Sequence, residues 1–132
     1  MEAMTLTEFL LARIAEDEAV ATAATPGPWR HNQDGDVLSS EWCVVDTESG
    51  ANPPDVTDAA HIARHDPARI LAECEAKRQI IDEHQIEVGG ASQCCVRCGV
   101  PGYESIEAPC DTIKYLALPY ANHPDYLPEW KP

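Results

Sequence analysis

Four side chains of the 132-residue chain have the types and spacing of a closed metal centre: Cys95 and Cys98, two residues apart, with His84 upstream and Cys110 downstream. Zinc takes tetrahedral nitrogen and sulfur ligands, and a site filled by four protein groups is structural because no position remains for an activated water. A Cys-x-x-Cys pair places two sulfurs on one ion through a tight turn, while the other two ligands arrive from elsewhere in the fold. The spacing therefore predicts His84, Cys95, Cys98 and Cys110 as the ligands of a structural Zn2+. In isolated zinc peptides such binding is worth on the order of 10 kcal/mol, comparable with the whole stability of a small domain. Two alternatives stay open. Cys94 offers a Cys94-x3-Cys98 spacing, although Cys95 makes the tighter and commoner knuckle, and His123 competes for the fourth position.

Other chemistries fit the cysteines less well. A dithiol redox centre wants a strand–helix context, whereas Gly89-Gly90 and Gly99-Val-Pro-Gly102 flank this pair with turns. A disulfide framework needs an oxidising compartment. Cys43, in a β-prone run, and Cys74, on a helical stripe, read as buried apolar thiols. His61 and His65 have the i, i+4 spacing of two imidazoles sharing a metal, but Ile62 stands where the zinc-protease pattern needs a glutamate. They read as surface or packing histidines, with a second metal site as the rival. No phosphate-cradling loop, serine elbow or isolated carboxylate pair is present, so no catalytic residue is assigned.

The elements that must position these ligands follow from periodicity and punctuation. Thr5-x-x-Glu8 has the capping-box form, and Leu6, Phe9, Leu10, Ile14 and Val20 recur at helical spacing, predicting a helix over 5–23. Thr25-Pro-Gly-Pro28 stops it, and Trp29 is expected to fold back over it. Residues 31–35 are turn chemistry, and Val37-Leu38 with Trp42–Val45 suggest a small hairpin. Helices are predicted at about 58–65 and 67–84, with Asp66 as N-cap and Pro67 at the first helical position. On the longer one Ile70, Leu71, Cys74, Lys77, Ile81 and His84 form a stripe, and a loop over 85–94 must fold back to bring the cysteine pair to His84. A last helix follows Cys110 through Ala117 and stops at Pro119. The proline-rich tail is expected to be irregular, draping Tyr120, Tyr126 and Trp130 over the core.

Composition bounds the setting. There are 23 acidic and 9 basic residues, a formal charge of −14. Such a field repels phosphate backbones and anionic membranes and favours basic protein partners. It serves solubility, or, in a sharper reading, a surface that imitates nucleic acid. The acidic N-terminal stretch lacks the features of a secretory signal, and no segment reaches the ~20 apolar residues of a membrane span. The compartment expected is the cytoplasm. Size predicts one domain over 1–132, with a helical and hairpin part at 1–83 and a zinc-stapled part at 84–132.

Several motifs together resemble a small family of uncharacterised proteins of actinobacteria, such as streptomycetes, and their phages. They are Ala24-Thr-Pro-Gly-Pro-Trp29, the run from His61 to Ile70, the helix from Glu75 to His84, the Cys95-x-x-Cys98 pair, and the run from Leu116 to Tyr126 with Glu129-Trp130. The likeness covers nearly the whole chain; Asn122, in place of an expected acid, and the extra Cys94 depart from it. It implies domain extent and an actinobacterial or phage setting, and no activity. The fold expected is α+β and mostly helical, with three or four helices, a small hairpin and a zinc-knuckle C-terminal half. The function expected is a non-enzymatic interaction or accessory factor. An acidic nucleic-acid mimic and a small zinc enzyme are the alternatives.

Overall fold

The computed structural model describes residues 3–46 and 56–85, the backbone of 86–89 and 92–95, Cys98, and residues 109–132. Its first helix, α1 (Leu6–Ala23), starts on the capping box that the sequence predicts. The Thr5 amide donates to Glu8 Oε2 at 2.9 Å and the Glu8 amide donates back to Thr5 Oγ1 at 3.1 Å, satisfying two orphan donors of the first turn. The apolar stripe runs through Leu6, Phe9, Leu10 and Ile14, all buried, and on to Ala21. Val20 leaves it and is 73% exposed. Two turns separate Ile14 from Ala21 along one face, whereas Val20 falls roughly a third of a turn away.

After α1 come β1 (Arg30–His31), β2 (Val37–Leu38), β3 (Cys43–Val45), α2 (Val56–Arg64), α3 (Pro67–Glu83), β4 (Ile86–Gly89), β5 (Ser92–Cys95) and α4 (Asp111–Ala117). The architecture is thus mostly helical α+β, with four helices and a small antiparallel sheet among the described residues. The chain divides into two compact units, Glu16–Cys74 and Met1–Ala15 with Glu75–Pro132, and both boundaries fall inside helices.

In the unit Glu16–Cys74, the expected hairpin gains a third strand, in the order β1-β2-β3. Arg30 pairs with Leu38 and His31 with Val37. The connecting turn explains why the short strand β1 forms. Asn32 Oδ1 accepts the amides of Asp34 and Asp36, each at 3.0 Å, and Gly35 supplies the left-handed φ of 87°. The next turn hangs on buried Ser39, whose Oγ accepts the Trp42 amide at 2.9 Å. Trp42, expected to begin a strand, lies outside β3 and is exposed. Val37, Ala59 and Ala63 form the core of this unit, with Trp29, Val44, Val45 and Ile62 packed against it. Trp29 packs, half-buried, against that core, and its indole N–H donates to the Thr25 carbonyl at 2.9 Å, just beyond α1.

Asp66 starts α3 as predicted: its Oδ1 accepts the Arg69 amide at 2.8 Å, and Pro67 takes the first helical position. On the α3 stripe Cys74 and Ile81 are buried, whereas Leu71 is exposed.

In the other unit Phe9 sits among rings of the C-terminal tail, with centroids 5.2 Å from Trp130, 5.9 Å from Tyr126 and 5.5 Å from His123. The tail does cover core residues, and Tyr126 and Trp130 are buried. It is more regular than expected, because 3-10 turns form over Leu118–Tyr120 and Pro128–Trp130, each with a proline in its first two positions, where no N–H is required. The expected loop over 85–94 is also replaced. β4 and β5 pair antiparallel from Ile86↔Cys95 to Gly89↔Ser92. No helix among the described residues is long and apolar enough to cross a membrane.

Candidate metal centre

His84 follows the last turn of α3, where its amide donates to the carbonyls of Ile80 and Ile81, each at 3.1 Å. Ile81, one turn back on the same face, is buried and anchors that end of the helix. Cys110 precedes α4 with extended backbone (φ −73°, ψ 164°) and is buried. Cys98 lies between them in sequence, in a turn.

The fold brings these three side chains together. His84 Nδ1 lies 3.4 Å from Cys98 Sγ and 3.6 Å from Cys110 Sγ, and the three donor atoms are all within 4.8 Å of one another. Zinc–sulfur and zinc–nitrogen bonds of about 2.3 and 2.05 Å at tetrahedral angles put nitrogen and sulfur ligands about 3.6 Å apart. The observed spacings match that edge length. Thiol–imidazole hydrogen bonds alone account for them less well, since a neutral imidazole nitrogen has one lone pair to offer two thiols. The group can hold a metal ion, and its donors, two sulfurs and one nitrogen, suit a borderline-soft divalent cation.

The fourth predicted ligand, Cys95, is described by backbone alone. Its strand register sets its backbone opposite Ile86, two residues beyond His84. Cys94 stands opposite Glu87. The side chains of Cys94 and Cys95 lie outside the described residues, as do positions 96–97 and the predicted turn at 99–102. His123 does not join the group. Arg13 Nη1 lies against both its ring nitrogens, 2.9 Å from Nδ1, and the Asp125 amide donates to Nδ1 at 3.1 Å.

His61 and His65 stand on α2 with ring centroids 4.4 Å apart, and His65 Nδ1 donates to the His61 carbonyl at 2.8 Å. Among the described residues no third cysteine, histidine or carboxylate completes a site with them.

Sequence reasoning missed a second cluster, Asp36, Cys43 and Asp46, whose ligand atoms also lie within 4.8 Å of one another. Cys43 is not the buried thiol expected but lies exposed on the edge strand β3, with Sγ donating to the Val45 carbonyl at 3.3 Å. Local desolvation first, and then the charges of Asp46 and Asp36, raise its pKa above the usual thiol value. No sequence signal marks this cluster, which is assembled by strand pairing across a turn. Cys74 is buried as expected, and none of Cys43, Cys74, Cys98 and Cys110 is in a disulfide.

A family model described as a family of unknown function, DUF6221, matches residues 3–132, so the chain belongs to that family. No curated protein and no solved structure matches it.

Proposed function

We propose that this chain is a small structural-zinc protein, a non-enzymatic protein-interaction or accessory factor of actinobacterial or phage origin that works in the cytoplasm. One observation carries the metal reading: the Cys98 and Cys110 sulfurs both lie at the nitrogen–sulfur edge length of a zinc tetrahedron from His84 Nδ1. Cys95 is the proposed fourth ligand, supported by the Ile86↔Cys95 register. A structural role is favoured over catalysis by the proposed set of four protein ligands, which leaves no position for an activated water.

Elemental analysis and cobalt substitution test this. The expected result is one zinc per chain, and on replacement by Co2+ a tetrahedral spectrum with strong sulfur-to-metal charge transfer. A metal-free purified protein that takes up no Co2+ overturns the reading. A five-coordinate spectrum would point instead to a bound water and a small zinc enzyme.

The charge of −14 favours a second reading of the partner: an acidic surface that imitates nucleic acid and occupies a basic DNA-binding protein. Capture from an actinobacterial lysate separates the two. A mimic recovers basic nucleic-acid-binding proteins and releases them in high salt, whereas an accessory factor retains a partner without that dependence. The chain itself is not expected to bind nucleic acid.

A further inference from the structure

An open surface groove of about 300 Å3 is lined by Trp29, Arg30 and His31 from the start of the sheet and by Ala60, Ala63 and Arg64 from α2. It gathers positive charge on a chain that has only nine lysines and arginines. Elsewhere guanidinium groups are engaged: Arg13 lies over the Phe9 ring and against His123, and Arg69 pairs with Glu73 at 2.8 Å. The guanidinium groups of Arg30 and Arg64, by contrast, have no hydrogen-bond or ion-pair partner among the described residues. Two exposed planar forks without a protein partner, beside one groove, are the chemistry that recognises a carboxylate or a phosphate.

The indole beside them is held in place at two points. The Trp29 backbone amide donates to Asp66 Oδ2 and its ring N–H to the Thr25 carbonyl, both at 2.9 Å. A ring fixed before a ligand arrives loses little freedom when one binds. Ala60 and Ala63 keep the α2 wall low, leaving room for a flat group next to the indole.

We propose that this groove binds a small organic anion, its carboxylate or phosphate between Arg30 and Arg64 and its flat ring against Trp29. None of the lining residues is a donor of the candidate metal centre, so this site stands or falls apart from the metal reading.

The test is a titration of the 15N-labelled full chain, followed at the Trp29 indole N–H, with adenosine 5′-monophosphate, benzoate, adenosine and inorganic phosphate as probes. At least one ring-bearing anion is expected to shift that resonance saturably, and which one does so distinguishes phosphate from carboxylate recognition. Adenosine and inorganic phosphate are expected to bind more weakly by about tenfold or more, as are the Arg30→Gln and Arg64→Gln variants with the better anion. That is the loss anticipated for a missing charged hydrogen bond. Both variants should melt with the parent. Silence from both ring-bearing anions at millimolar concentration, equal binding of adenosine, or undiminished binding in the two glutamine variants overturns the proposal.

Discussion

The carboxylate of Asp66 holds the backbone of Trp29: the Trp29 amide donates to Oδ2 at 2.9 Å while Oδ1 caps α3 through the Arg69 amide at 2.8 Å. One buried side chain thereby satisfies two donors, one in the helix it caps and one 37 residues away in the chain. Gly27 is part of the same arrangement, because a Cβ there would lie 2.6 Å from Asp66 Oδ2 and 2.9 Å from Ala68 Cβ.

Asp66→Ala should therefore destabilise the protein by about 2–4 kcal/mol, combining a lost N-cap with a stranded amide. Gly27→Ala should cost about 1–3 kcal/mol through overpacking against that carboxylate. Denaturant melts check both; a change below about 0.5 kcal/mol for Asp66→Ala, the range of neutral surface substitutions, would contradict the dual role.

Metal removal should act on stability in a way that ligand substitutions reproduce. Chelation, Cys98→Ser and Cys110→Ser are each expected to lower stability by several kcal/mol. Cys43→Ser, at the other cysteine cluster, should leave metal content at the parent level. Zinc stoichiometry and thermal melts on the same samples provide the comparison.

Cys43 is exposed yet should react slowly with iodoacetamide near neutral pH, because its raised pKa keeps the thiol protonated. The sign follows from the neighbours: carboxylates disfavour the thiolate, so Asp46→Asn should lower that pKa and speed alkylation at pH 7–8 by a few-fold. An unchanged rate would remove Asp46 as a cause.

Tyr126 is buried, and its hydroxyl has no hydrogen-bond partner among the described residues. Tyr126→Phe keeps the ring packed on Phe9 and Trp130 and removes a desolvated polar atom. Its melting temperature should equal or exceed the parent's, by up to about 1 kcal/mol in stability. A drop of that size would mean that the hydroxyl is satisfied after all.

The parts legible in the sequence were those written in local chemistry. Thr5 with Glu8, and Asp66 before Pro67, announce helix starts because caps act within one turn. His84, Cys98 and Cys110 were legible because ligand types are few and their spacing is constrained. Val20 reads as the stripe residue from its apolarity, but helix phase puts the smaller Ala21 on the buried face. The strand β5, which carries Cys94 and Cys95, was hidden because Ser92-Gln-Cys-Cys95 has no β-branched or aromatic residue, so pairing with Ile86–Gly89 decides its conformation. The groove at Trp29 was invisible for a different reason: Arg30 and Arg64 meet only through the packing of β1 on α2.

The short separation of the converging donors has a thermodynamic corollary. An ion joining His84 to Cys110 ties off a segment of 26 residues, and a covalent cross-link of that span removes about 3.5 kcal/mol of chain entropy from the unfolded ensemble. Because ring closure costs grow only logarithmically with length, insertions between Cys98 and Cys110 should be cheap for this staple, while one inserted within the paired stretches Ile86–Gly89 or Ser92–Cys95 would shift the register that sets Cys95 opposite Ile86 and should be costly.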